Sequence, residues 1–129
     1  MPITLDKRTL HQADVVVMRF QLIQTRDGVF LDQIGASDLS AMTLTHMNSA
    51  TAAAINSRNA QNVLNANNVT VDEDGWVEWT MQGADNPIVS STLKSGELED
   101  HLSKFIITKS DGLHSTFYVR TRVMKAHSV

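Results

Sequence analysis

Glu97, Glu99 and His101 are the residues of this chain whose types and spacing come nearest to a reactive constellation. Two residues apart on a strand, they would share one face and could reach a single metal ion with two carboxylates and an imidazole. The polar outward face of a half-buried strand produces the same pattern, and that plainer reading is preferred, so no metal is assigned. His46 and His114 stand alone on expected strands, where a surface position suits them better than ligation, and His11 and His127 lie near the chain ends. Asp72-Glu73-Asp74 lacks the alternating spacing and distal glutamate of a calcium loop and reads as a solvated turn. No G-x-S-x-G, H-E-x-x-H, Walker or dinucleotide fingerprint occurs. With no cysteine, thiol catalysis and disulfides are excluded. The chain therefore reads as non-enzymatic, with no cofactor.

Composition narrows the partners. Eleven basic and 14 acidic residues give a net charge of −3, so no overall field draws nucleic acid. Arg120, Arg122 and Lys125 are the nearest approach to a basic cluster. Arg120 and Arg122 would share a strand face, as a solvated surface or as a patch for an acidic partner. The longest apolar run, Val15 to Met18, is too short to cross a bilayer. The opening Pro2-Ile3-Thr4-Leu5-Asp6 does not resemble a signal peptide. Freedom from cysteine fits assembly in a reducing cytosol.

The elements that would position these residues are strands. Val69–Met81 reads as a hairpin turning at Asp72-Glu73-Asp74-Gly75, where Gly75 supplies a positive φ. Its return strand carries both tryptophans, with Trp79 expected inward and Trp76 expected at the surface. Val15 to Thr25 is a strand with Val16, Met18, Phe20 and Leu22 on the core face, and Arg26-Asp27-Gly28 ends it. Leu39 to Met47 is another. Leu98 to Thr108 is preferred as a strand over a helix, and it pairs with Leu113 to Met124, whose Phe117, Val119 and Val123 face inward. Residues 1–12 read as a terminal strand or as an arm to a neighbour, and 48–68, rich in Ala and Asn, as a long loop or short helix between strands. The fold class is all-β, an immunoglobulin-like antiparallel β-sandwich in one domain spanning 1–129. The expected partner-binding residues are Trp76, Ala52, Ala53, Ile55, Asn56, Arg58, Arg120 and Arg122.

The succession RTLHQADVVVMRFQL, VFLDQIGASDLSAMTLTHM, VTVDEDGWVEWTM, ADNP, GELEDHLSKF and the closing RTRV resembles small immunoglobulin-like β-sandwich proteins of tailed-bacteriophage virions, in particular the N-terminal domain of siphophage upper baseplate proteins. The likeness spans residues 8–124 as a rhythm of strands and turns. It implies a non-enzymatic virion protein, made in the host cytoplasm, that binds its own copies and neighbouring capsid, neck or tail proteins, without membrane or direct nucleic-acid contact. Capsid decoration and a head-tail or baseplate position are both compatible with it. A carbohydrate- or small-ligand-binding module is the alternative, since an exposed tryptophan beside Asn and Glu can stack on a sugar.

Overall fold

The computed structural model describes residues 3–126; Met1, Pro2 and His127, discussed above from sequence, lie outside the described residues. Ten strands follow in chain order: β1 (Ile3–His11), β2 (Val16–Gln21), β3 (Ile23–Arg26), β4 (Val29–Gln33), β5 (Leu39–Asn48), β6 (Gln61–Asn62), β7 (Val69–Val71), β8 (Trp76–Met81), β9 (Leu98–Lys109) and β10 (His114–Met124). They form a five-stranded sheet in the order β1-β10-β9-β5-β6, a three-stranded sheet in the order β2-β8-β7, and a separate β3-β4 hairpin. Every pairing is antiparallel except that β1 runs parallel to β10. In immunoglobulin lettering, β2, β8 and β7 are strands B, E and D, while β10, β9, β5 and β6 are G, F, C and C′. The fold is an immunoglobulin-like β-sandwich, with the β3-β4 hairpin inserted between B and C.

Alternation dictates which residues meet between the sheets. Along β9 the pattern is nearly strict, with Glu99, His101, Ser103, Phe105 and Ile107 buried and their neighbours more exposed. Met42, Leu44, Val77, Trp79, Met81, Val119 and Val123 complete the centre. Without a cross-sheet disulfide, aromatic rings join the layers. Phe20 on β2 meets the rings of Phe105 and Phe117 edge-on, with centroids 5.4 and 5.3 Å away, and Phe105 stacks on Phe117 at 5.1 Å. Phe20 and Phe117 are half-buried rather than enclosed and pack against the buried core from its margin.

Two sequence expectations change here. The 48–68 segment contains no helix, and it is not a loose insertion. It makes β6 beside β5, and it buries Ile55 and Val63. Its asparagines serve its turns: Asn56, Asn65, Asn67 and Asn68 adopt left-handed backbone conformations, which Asn tolerates better than most residues, and Asn65 Oδ1 also accepts the Val71 amide at 2.8 Å. The second change concerns His46, which is fully buried rather than at the surface.

Candidate interaction surface and the buried polar core

Among the described residues, Glu97, Glu99 and His101 do not converge. Glu97 precedes β9 and turns back to accept the Lys94 amide at 2.7 Å, whereas Glu99 and His101 point inward. His101 Nε2 donates to Glu99 Oε2 at 2.6 Å, and the Glu99 carboxylate also accepts the Val89 and Ser90 amides at 2.9 and 2.7 Å. No group of three metal-ligating side chains stands together among the described residues. Burial alone would push the Glu99 carboxyl upward; the Val89 amide, His101 and the Ser90 amide override it and hold it below its ordinary value.

Beside this pair runs a second buried set. His46 donates from Nε2 to the Asp85 carbonyl at 2.7 Å, which leaves Nδ1 to accept the Ser103 hydroxyl at 2.9 Å and fixes the neutral tautomer. Burial, reinforced by neighbouring His101 and Arg58, lowers its pKa to about 4 against the opposing pull of Asp85. The Asp85 carboxylate receives Arg58 Nε at 2.6 Å, Arg58 Nη2 at 3.2 Å, Asn56 Nδ2 at 2.9 Å and the Gln82 amide at 2.8 Å. Burial would raise the pKa of Asp85, but these donors, Arg58 first, keep it low. Arg58 also donates to Gln61 Oε1, the Asn67 carbonyl and Asn68 Oδ1. This ion pair ties the 48–68 segment to the turn before Pro87.

That pair corrects the partner-binding expectation for two residues. Ile55 is 4% exposed and Arg58 2%, so both side chains are consumed inside the sandwich. Asn56 is exposed but spends its amide on Asp85, while Ala52 and Ala53 are exposed. The signal for Arg58 was in the sequence: it is the sole charged residue between 48 and 68. A cation in so neutral a segment needs either water or a distant carboxylate. Trp76 is half-buried, with the Arg19 guanidinium 4.0 Å from its ring centroid, so one ring face is already occupied. Arg19 also pairs with Glu78 across the strands at 3.3 Å. Arg120 and Arg122 are exposed on β10, as their spacing implied.

Exposed apolar side chains lie elsewhere, at Val15 beside β2 and Val17 on it, at Leu113 before β10, and in a group of four on the β3-β4 hairpin. Strand β2 stops at Leu22, whose amide donates to the Gly75 carbonyl at 2.8 Å and whose carbonyl accepts the Ile34 amide at 2.9 Å. The chain then leaves the sandwich, turns at Asp27-Gly28 with positive φ at both residues, and returns. Ile23, Val29, Phe30 and Leu31 are 46, 63, 55 and 49% exposed. The hairpin's root is fixed although its tip stands free. Ala36 donates to the Asp72 carbonyl, the Ser37 hydroxyl bonds Glu73 at 2.6 Å, and a side chain on Gly35 would strike the Glu73 backbone. Seven carboxylates surround this end, Asp27, Asp32, Asp38, Asp72, Glu73, Asp74 and Asp111, against Arg26 and Lys109; the rest of the chain has more basic than acidic residues.

At the opposite end lies an open cavity of about 760 Å³. Ala50, Val89, Leu93 and Leu98 supply its apolar lining, and Ser91 and Arg122 are among its polar residues. The Glu99 carboxylate holds the Val89-Ser90 wall in place through its two amide bonds.

No protein-family model and no curated protein matches the sequence. Among solved structures, CopC from Methylosinus trichosporium OB3b is similar over 95% of this chain and 88% of that one, with 9% identity and a TM-score of 0.42, a likeness too distant to transfer a function.

Proposed function

We propose that this protein is a structural part of a tailed-phage particle, a β-sandwich that works by adhesion to its own copies and to neighbouring virion proteins rather than by catalysis. The observation that supports adhesion most directly is the rooted hairpin carrying Ile23, Val29, Phe30 and Leu31 into solvent. A lone two-stranded hairpin is marginal in water. Here hydrogen bonds to the Asp72–Gly75 turn hold its base while its apolar tip remains uncovered, which is the form of a docking element. The virion assignment rests on the resemblance in strand and turn rhythm, joined to that surface. Particles purified from a producing culture should contain the chain at a fixed copy number by mass spectrometry, and imaging should place it on the capsid, neck or tail. A chain found only in the soluble fraction overturns the virion role, and turnover of a substrate lost on changing one polar residue overturns the adhesive one.

A further inference from the structure

We infer that an internal water molecule is part of this fold, held between His101 Nδ1 on β9 and Thr121 Oγ1 on β10. Both residues are fully buried, and among the described residues neither atom has a hydrogen-bond partner. They are also neighbours. His101 and Thr121 stand directly opposite each other in the antiparallel β9-β10 register, and both belong to the inward set of their strands. Directly opposed residues on one face carry Cβ atoms about 4.5–5.5 Å apart. A single water can join two atoms up to roughly 5.6 Å apart, twice a hydrogen-bond length of about 2.8 Å, so the pair falls within its reach.

The donors and acceptors fit water better than any other small occupant. His101 Nε2 donates to Glu99 Oε2 at 2.6 Å, so in the neutral ring Nδ1 is a bare acceptor, while the Thr121 hydroxyl both donates and accepts. A water that donates to Nδ1 and accepts from the hydroxyl satisfies both atoms, each of which would otherwise carry the full cost of its removal from solvent. Zinc asks for four ligands and calcium or magnesium for a cage of oxygens, whereas no group of three metal-ligating side chains stands together among the described residues. The surroundings are polar as well. Trp79 Nε1 and Asn86 Oδ1 are likewise buried without a partner among the described residues. Trp79 and His101 each meet the His46 ring edge-on, at 5.3 and 5.5 Å, and Asn86 follows Asp85, whose carbonyl His46 binds. Unpartnered atoms thus gather round one patch of the core, which is where buried water is found in proteins. The site also has a task. With Nδ1 anchored, Nε2 stays aimed at Glu99, the carboxylate that lines the cavity and holds its Val89-Ser90 wall, so the water is a positioning element for that wall.

A high-resolution crystal structure of the full chain tests this directly. Density for one atom should lie about 2.7–3.2 Å from both His101 Nδ1 and Thr121 Oγ1, and oxygen-17 relaxation dispersion should detect a long-lived water in solution. Thr121→Val, which keeps the shape of the side chain and removes its hydroxyl, should lose one such water and shift the Val89 and Ser90 amide resonances. Thr121→Ser should match wild type in both. No density between the two atoms, a direct bond between them, or an atom bonded to only one of them overturns the inference. So does an atom about 2.0–2.1 Å from Nδ1, which would be a metal, and so does a folded Thr121→Val protein that keeps every long-lived water. Unmoved Val89 and Ser90 resonances in a Thr121→Val protein that has lost the water overturn the positioning role. If circular dichroism shows Thr121→Val unfolded, the density in wild type and in Thr121→Ser decides. None of these readouts involves particles or partners, so the water site and the adhesive role can fail separately.

Discussion

At the scale of single residues, the most consequential feature is that this core is partly polar: Arg58, Asp85, His46 and Glu99 are paired, while Trp79 Nε1, Asn86 Oδ1, His101 Nδ1 and Thr121 Oγ1 are buried without a hydrogen-bond partner among the described residues. Arg58 and Asp85 are 3% and 0% exposed at the side chain, and their bond is bidentate. A buried pair of this kind adds little over a well-packed apolar substitute, but removing one member leaves the other charge without compensation. Arg58→Ala should therefore lower unfolding free energy by about 3–5 kcal/mol in urea titrations, and Arg58→Lys should recover little, because an ammonium cannot reproduce the planar fork. A loss under about 1 kcal/mol would mean that Asp85 finds water instead. The tryptophans give a paired test. Trp79 is fully buried against Phe105 and His46, so Trp79→Ala should cost about 3–5 kcal/mol. Trp76→Ala, which removes a half-exposed ring under Arg19, should cost about 1 kcal/mol. The alternation of VEWTM makes this difference between the rings legible in the sequence. The burial of His46, in contrast, was hidden: its Asp85 carbonyl partner lies 39 residues away, and a single strand does not show whether a polar side chain on its inner face will be satisfied.

At the scale of elements, the clear strands were those with strict alternation, and the errors came where tertiary hydrogen bonds interrupt or replace it. Val15 to Thr25 reads as one strand, but Leu22 is drawn aside by Gly75 and Ile34, which splits it into β2 and β3 and sends the second part outward. Nothing local to VVVMRFQLIQT announces that break. Residues 48–68 read as loose because they lack apolar periodicity; their order comes instead from Arg58, from two isolated apolar anchors and from asparagine turns. The proposed sites shift accordingly, from this segment to the β3-β4 hairpin. Deleting residues 50–62 with a short bridge should lower the melting temperature sharply, since it removes Ile55 and Arg58 from the core. An unchanged melting curve would contradict that packing. Gly75 controls the hairpin's root: its φ is +83°, and a Cβ there would come within 2.7 Å of the Leu22 carbonyl oxygen and 2.8 Å of that of Ile34. Gly75→Ala should destabilise the fold by about 1–3 kcal/mol, with the nuclear magnetic resonance shifts of Ile23 to Gln33 moving more than those of β9 and β10. Shifts confined to the D–E turn itself would show that the hairpin is held independently of it.

At the scale of the whole molecule, the two ends differ in kind: one is apolar and acidic around a projecting hairpin, while the other is hollow and borders a sandwich interior rich in titratable groups. That interior makes stability depend on pH in one direction. His46 is held neutral, with its pKa lowered from 6.5 to about 4, so the unfolded chain takes up its proton first as pH falls. Its contribution is complete above about pH 6.5 and is lost progressively toward pH 4, roughly 3 kcal/mol across that window. Asp85 and Glu99 act with the same sign, because their folded pKa values also lie below the ordinary carboxylate values; the stability they add above those values is lost as pH falls through the folded ones. Urea titrations should therefore show a plateau from pH 8 to 7 and a decline beginning below pH 6.5, before most exposed carboxylates titrate. His46→Gln, whose amide can still donate to the Asp85 carbonyl, should flatten the decline between pH 6.5 and 4 and leave the steeper loss at lower pH. A wild-type curve that stays level down to pH 4.5 would mean that the protonated imidazole finds a charged partner inside the sandwich, and the assignment of His46 as a neutral donor would have to be abandoned.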